Sequence, residues 1–205
     1  MDTSYNRIAG TSVERLAALS DGIFGVAMAL LLLDLHVPAK ELIHSETDLW
    51  RALGHLGPLL FVYLMSFITL GIFWVGQQTQ LNYLERSDRH LTWIHLAFLF
   101  LVTLMPFSTR LLVDFIDYRA ALLVYWLNIL LFGIILYAAW GRATRAKLVK
   151  EELPFEVQAA ICHRIILAQT LYAFGALLCI FSTYLSIGFI ILVQLNYAIA
   201  PRLRR

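Results

Sequence analysis

Six long apolar runs separated by short polar stretches dominate the pattern along this chain. They predict membrane-spanning helices at about 14–35, 50–78, 90–112, 119–141, 157–181 and 184–200. Each run is close to the ~20 residues that cross a hydrocarbon core. The last two are parted only by Ser182, Thr183 and their neighbours. Two spans are expected there, because one apolar helix of ~40 residues would overrun the bilayer. The pattern therefore predicts an all-α integral membrane fold, with one domain of six transmembrane helices over residues 1–205.

Composition agrees with the pattern. Apolar residues make up 60% of the chain and charged residues 15%, and the mean hydropathy is +0.73. Soluble domains are roughly half apolar and a quarter charged. The net charge of +2 is too small to imply a nucleic-acid partner, and no basic run is interleaved with aromatic residues outside the apolar runs. A polar N-terminus and the absence of an A-x-A site after the first apolar run predict no cleavable leader, so the first span would act as its own insertion signal. Cys162 and Cys179 share one apolar run, where a helix would hold them about 25 Å apart, too far for a disulfide.

Lysine and arginine are distributed unevenly between the two sides implied by six spans. Twelve fall on the side of the termini: Arg7, Arg15, Arg86, Arg89, Arg142, Arg145, Lys147, Lys150, Arg164, Arg202, Arg204 and Arg205. Four fall on the other side: Lys40, Arg51, Arg110 and Arg119. The positive-inside rule then predicts a multi-pass protein of the cell (inner) membrane with both termini cytoplasmic. The charged stretch RATRAKLVKEELPFEVQ between the fourth and fifth spans reads as a solvated loop touching lipid headgroups.

The chemistry concentrates in the first run, where residues 15–38 read RLAALSDGIFGVAMALLLLDLHVP. A carboxylate inside an apolar span costs several kcal/mol unless it is paired or wetted, which marks Asp21 and Asp34 as candidate functional residues. At 100° per residue, Leu16, Leu19, Ala27, Leu30 and Asp34 fall within about 40° of Ile23, and Ser20 lies at about 60°. This stripe reads either as ordinary core or lipid-facing surface, or as a pore lining. In the second case aliphatic rings would constrict the path and Asp34 would concentrate cations at the outer mouth. Ala18, Gly22, Gly25 and Ala29 make a second stripe of small residues suited to close helix packing. Asp21 falls nearly opposite Ile23 and is expected to point inward. Its candidate partners are Arg15, His95, Gln77, Asn128 and Asn196. It reads either as a buried structural acid or as a proton relay.

The motif Arg15-x-x-x-Leu19-Ser20-Asp21-Gly22-Ile23-Phe24 resembles the RxxxFSD signature of the transmembrane protein 175 potassium-channel family, in its prokaryotic branch. Leu32-Leu33-Asp34-Leu35-x-x-Pro38 resembles the LLDLxVP end of that family's first helix. Trp93-Ile94-His95-Leu96, continuing to Pro106-Phe107-Ser108-Thr109, resembles its third-helix stretch. The resemblance covers the whole chain. It implies a cation channel without a carbonyl filter, and this chain has no TVGYG-type sequence. It also implies a homotetramer with the first helix lining a central pore. Ile23, Ala27 and Leu30 would then form the constriction that governs permeation and selectivity, with Asp34 as the outer acidic ring. Arg15, Ser20, Asp21, Gln77 and His95 would form the polar network that locks the first helix. Gln77 stands where the family often has His, His95 stands where Asn is common, and Leu19 replaces the usual Phe. The resemblance implies no resident cofactor and no fixed metal site. K⁺ would be the permeant ion, passing near Ile23 and Asp34, with weaker Na⁺ permeation. The partners would be further copies of the chain, the bilayer and monovalent cations.

Two other functions compete with the channel. A proton-coupled transporter or proton pathway would use Asp21, Arg15 and His95, and would need a discontinuous helix near the midplane. A membrane enzyme would need a catalytic cluster, yet His36, His44, His55, His90, His95 and His163 are scattered. No HExxH, G-x-S-x-G, CxxC or GxGxxG spacing occurs, and no catalytic residues are expected.

Overall fold

The computed structural model describes residues 10–33 and 35–199. Seven α-helices follow one another among these residues: α1 (Val13–Leu33), α2 (Glu46–His55), α3 (Gly57–Asn82), α4 (Arg89–Asp114), α5 (Arg119–Arg145), α6 (Phe155–Leu177) and α7 (Thr183–Ile199). Short 3-10 turns occupy Lys40–Leu42 and Leu178–Ile180. The all-helical membrane fold expected from the apolar pattern is what the chain adopts. Helices α1, α3, α4, α5 and the α6 region are long and apolar enough to cross a membrane, and α7 is a shorter apolar helix.

One boundary differs from the expectation. The apolar pattern predicts a single span over 50–78, but its first residues belong to α2, a separate helix that starts at Glu46. Gly57 and Pro58 open α3, and proline lacks the amide that a continuous helix would need there. Asp48 and Arg51 keep one side of α2 polar and Glu46 opens its first turn, which suits a surface position better than an apolar span.

Helix starts follow their capping residues. The Ser45 hydroxyl accepts the Asp48 amide at 3.1 Å, and an Asp88 carboxylate oxygen accepts the Leu91 amide at 2.7 Å. Each satisfies one of the orphan donors at a helix N-terminus. At the α6–α7 turn, the Ser186 hydroxyl donates to the Gly175 carbonyl at 2.6 Å. A side chain at Gly175 would press to 2.9 Å from Ile190, so glycine is what admits α7 this closely.

Two ends of the bundle can be told apart by their contacts. The α3–α4 loop meets the α5–α6 loop through a lone bridge between Leu84 and Val149. The start of the described chain joins them, since the Ser87 amide donates to the Thr11 carbonyl at 3.1 Å. At the opposite end, Arg119 donates to the Ile180 carbonyl at 2.9 Å, and Tyr184 donates to Asp117 at 3.2 Å. Successive spans therefore alternate in direction. Phe24 of α1, Phe73 of α3, Phe98 of α4 and Phe132 of α5 converge in the core, with neighbouring ring centroids 4.7–6.0 Å apart. Tilted aromatic pairs of this kind add about 0.5–1.5 kcal/mol each beyond area burial.

Candidate functional site

Helix α1 packs only one side into this core. Leu16, Ser20, Phe24, Ala27 and Leu31 are buried, which at helical spacing is a single arc about 80° wide. The opposite surface is open: Leu19, Val26, Leu30 and Leu33 are exposed, Val26 to 60%. Ile23 is half-buried, at the border between the two faces.

The expected permeation stripe is thus tilted across this border. Ile23 and Leu30 reach the open face, but Ala27 is only 2% exposed and belongs to the subunit core. Its small side chain forms part of the floor of a groove of about 370 Å³, lined also by Leu19, Gly22, Ile23, Val26 and Leu30, with Thr103 of α4 beside them. Val26, about 60° from Ile23 and outside the expected stripe, also lies on the open side. Asp34 lies outside the described residues.

Three of the five expected network residues form one chain of hydrogen bonds. The Ser20 hydroxyl donates to Gln77 Oε1 at 2.5 Å, and Gln77 Nε2 lies 3.2 Å from His95 Nδ1. All three side chains are buried. With the Gln77 carbonyl accepting from Ser20, its NH₂ group faces His95 Nδ1, so one amide bridges the hydroxyl of α1 and the imidazole of α4.

Asp21 does not join that chain. Its Oδ1 accepts Trp74 Nε1 and Gln78 Nε2, each at 2.7 Å. None of the candidate partners named from the sequence serves it. Gln77 and His95 are engaged with Ser20, Asn128 Nδ2 donates toward the Ser108 hydroxyl at 3.3 Å, and Asn196 is exposed. Nor is Asp21 buried in the single chain, contrary to the inward position expected. Arg15 also stands exposed; its backbone amide donates to the Ser12 hydroxyl at 3.2 Å, and its side chain takes no part in either set of bonds.

Trp74, Gln77 and Gln78 share one face of α3, since residues three and four apart are neighbours on a helix. Two adjacent residues of α1 are therefore pinned to three residues on one stripe of α3. The apolar pattern does not single out Trp74 and Gln78, although two consecutive glutamines three residues after a tryptophan in an otherwise apolar helix are a readable signal.

A second polar cluster lies within the bundle. Thr109 donates to the Ser66 hydroxyl at 2.8 Å, Ser66 donates to the Tyr125 hydroxyl at 3.3 Å, and Gln194 donates to the Thr69 hydroxyl at 2.6 Å. Thr69 and Tyr125 hydroxyls lie 3.2 Å apart. This ties α3, α4, α5 and α7 together. At the end that carries the Leu84–Val149 bridge, Arg142 of α5 pairs with Asp88 at 2.5 Å. Burial works to raise the Asp88 carboxyl, but the Leu91 amide and the Arg142 guanidinium outweigh it and hold it below the usual carboxylate range.

Comparison with known proteins places these features in context. The family model described as endosomal/lysosomal potassium channel TMEM175 matches residues 15–106. A potassium channel of Streptomyces collinus is 35% identical over 135 residues, which span 64% of this chain and 64% of that protein. The crystal structure of a lysosomal potassium-selective channel TMEM175 homolog from Chamaesiphon minutus superimposes with a TM-score of 0.80 at 26% identity. It covers 93% of this chain and 98% of the other. The endosomal/lysosomal proton channel TMEM175 of Gallus gallus is 27% identical over 111 residues, 52% of this chain and 22% of that protein.

Proposed function

Since the chain belongs to the TMEM175 potassium-channel family, a family of channels and not of enzymes, we propose that it is a potassium-permeable cation channel of the inner membrane. It assembles as a homotetramer with α1 around the central path and both termini cytoplasmic. Ile23 and Leu30 narrow the path as aliphatic rings, and the recessed Ala27 leaves a wider point between them. Asp34 forms the acidic ring at the outer mouth.

The observation that carries this reading is the state of α1. Its open face is apolar and small, while Asp21 holds two hydrogen bonds and still meets the surface of the single chain. A carboxylate exposed to hydrocarbon costs at least about 2.5–3.5 kcal/mol. Covering that face with other copies of α1 and α3 removes the cost and encloses an axial space at the same time. An aliphatic ring has no oxygen ligands, so discrimination between K⁺ and Na⁺ comes from size and the cost of shedding water, and it is modest.

Ion flux in proteoliposomes tests the assignment. Ile23→Asn is expected to wet the constriction, raise K⁺ flux and lower the preference for K⁺ over Na⁺. Unaltered flux and selectivity would remove Ile23 from the path.

A proton pathway through Asp21, Arg15 and His95 is the second reading, favoured by the name carried by the vertebrate relative. It requires the three groups to communicate. Arg15 joins neither hydrogen-bonded set, and Asp21 and His95 sit in separate ones. A pH-sensitive dye inside the same vesicles separates the readings: proton flux that disappears in Asp21→Asn, with tetramers intact, would favour the relay.

A further inference from the structure

Helix α2 is a formed helix without an interior. Ser45 caps it, and the Asp48–Arg51 pair at 3.3 Å closes its polar side. None of its ten residues is buried. Its apolar residues are nevertheless ordered around the axis. With Leu49 at zero, Ala52, Leu56, Leu53 and Trp50 fall within an arc of about 160°. Thr47, Asp48, Arg51, Gly54 and His55 fill the remainder, while Glu46, in the first turn, falls inside the apolar arc between Leu53 and Trp50 and marks its end nearest the water. Leu49, Trp50 and Leu53 are 40%, 67% and 41% exposed. A surface helix of a water-soluble protein would turn such a face into its core.

The surroundings identify what covers it. Only Leu56 separates α2 from Gly57, where the span of α3 begins. Ten residues of helix extend about 15 Å, so every residue of α2 stays close to the membrane surface that α3 enters. The apolar face is thus continuous with a bilayer interface. Charge narrows the partner further. Between Leu35 and Leu56 the chain carries Lys40 and Arg51 against Glu41, Glu46 and Asp48. Attraction to anionic lipid does not drive this contact, and tryptophan with leucine suits the zone between headgroups and acyl chains.

We propose that α2 is an interfacial anchor, its Leu49–Trp50–Leu53 face seated in zwitterionic phospholipid on the side of the membrane opposite the Leu84–Val149 bridge. The anchor fixes the α1–α3 connection against one leaflet and so holds the far end of α1 at a set depth. This goes beyond the channel reading and needs only that α3 spans the membrane.

The test uses the full-length chain with Cys162 and Cys179 replaced by alanine and one spin-labelled cysteine at position 48, 50, 51 or 53. Each variant is reconstituted into phosphatidylcholine vesicles with and without added phosphatidylglycerol. Labels at 50 and 53 are expected to collide with oxygen and to be shielded from a water-soluble nickel chelate; labels at 48 and 51 are expected to do the reverse. Phosphatidylglycerol and high salt should leave the pattern unchanged. Equal access of the chelate to all four positions would overturn the proposal, because α2 would stand in water. Shielding of 50 and 53 from both reagents would also overturn it, because protein would cover the face. Where Trp50→Cys does not yield folded protein, Leu49→Cys replaces it in the series. A pattern that appears only with phosphatidylglycerol would overturn the choice of zwitterionic lipid.

Discussion

Trp74 Nε1 donates to Asp21 Oδ1 at 2.7 Å, so an indole on α3 holds the carboxylate of α1. Because Gln78 shares the same oxygen and Ser20 is held one residue away by Gln77, the rotation of α1 about its own axis is set twice. Charge-assisted bonds of this sort contribute about 1.5–3 kcal/mol each. Trp74→Phe keeps the ring and deletes the donor. We expect it to weaken the tetramer or broaden the channel's conductance states while leaving the monomer folded, as read by native mass spectrometry and single-channel recording. Asp21→Asn should act in the same direction more mildly, because an amide oxygen still accepts. Full activity and assembly in both variants would show that α1 is held by apolar packing alone.

Ser20→Ala tests the buried chain. It removes the hydroxyl that Gln77 Oε1 accepts from and leaves that oxygen orphaned in the core. An unsatisfied buried acceptor costs about 1–3 kcal/mol. We expect a clear fall in the melting temperature of detergent-solubilised protein. Adding Gln77→Leu should recover part of the loss, since both polar partners are then gone, although His95 Nδ1 would lose its partner.

The Asp88–Arg142 pair yields a pH dependence whose sign follows from the lowered carboxyl. The ordinary value is 3.8 and the folded value lies below it. The folded state therefore binds the proton less readily than the unfolded chain. The pair's contribution is fully present above about the unfolded value and is lost as pH falls through the folded one. Both side chains are partly exposed, so solvent screening limits the gain to less than about 1 kcal/mol. Asp88→Asn keeps a capping side chain and removes the charge. Its thermal stability should trail the parent at neutral pH and converge with it below about pH 3.8. A constant gap across that range would assign the whole effect to the cap.

Much of the fold was legible because a bilayer imposes simple rules: long apolar runs become helices, and short polar runs become turns. The wheel on α1 also separated Asp21 from Ile23 correctly, since helical spacing alone decides that. It could not place the boundary between core and open surface, which depends on how Phe24 meets Phe98 and Phe132. That packing rotates Ala27 inward and Val26 outward. Nor could it choose Trp74 over Arg15 or His95 as a partner for Asp21, because the relative height of two helices is a tertiary property. The α2 boundary was obscured because Trp50, Leu53 and Leu56 continue the hydrophobic run, and hydropathy alone does not distinguish a surface face from a span.

Lys147 closes α5 with φ of 54°, a left-handed conformation that favours glycine. The Leu148 amide returns to the Ala143 carbonyl at 2.9 Å and the Lys147 amide to the Thr144 carbonyl at 3.2 Å, the pattern of a Schellman cap. A side chain there costs about 1–2 kcal/mol in backbone strain, and glycine gives back part of that through the flexibility of the unfolded chain. The Lys147 side chain is exposed, so little packing is lost with it. Lys147→Gly is expected to stabilise the protein by about 0.5–1 kcal/mol and Lys147→Val to destabilise it, because β-branching makes the left-handed region harder to reach. Melting curves of the two variants against the parent decide the matter. Both variants remove the same charge, so opposite shifts isolate the backbone, whereas equal shifts would mean that the cation and not the conformation governs this turn.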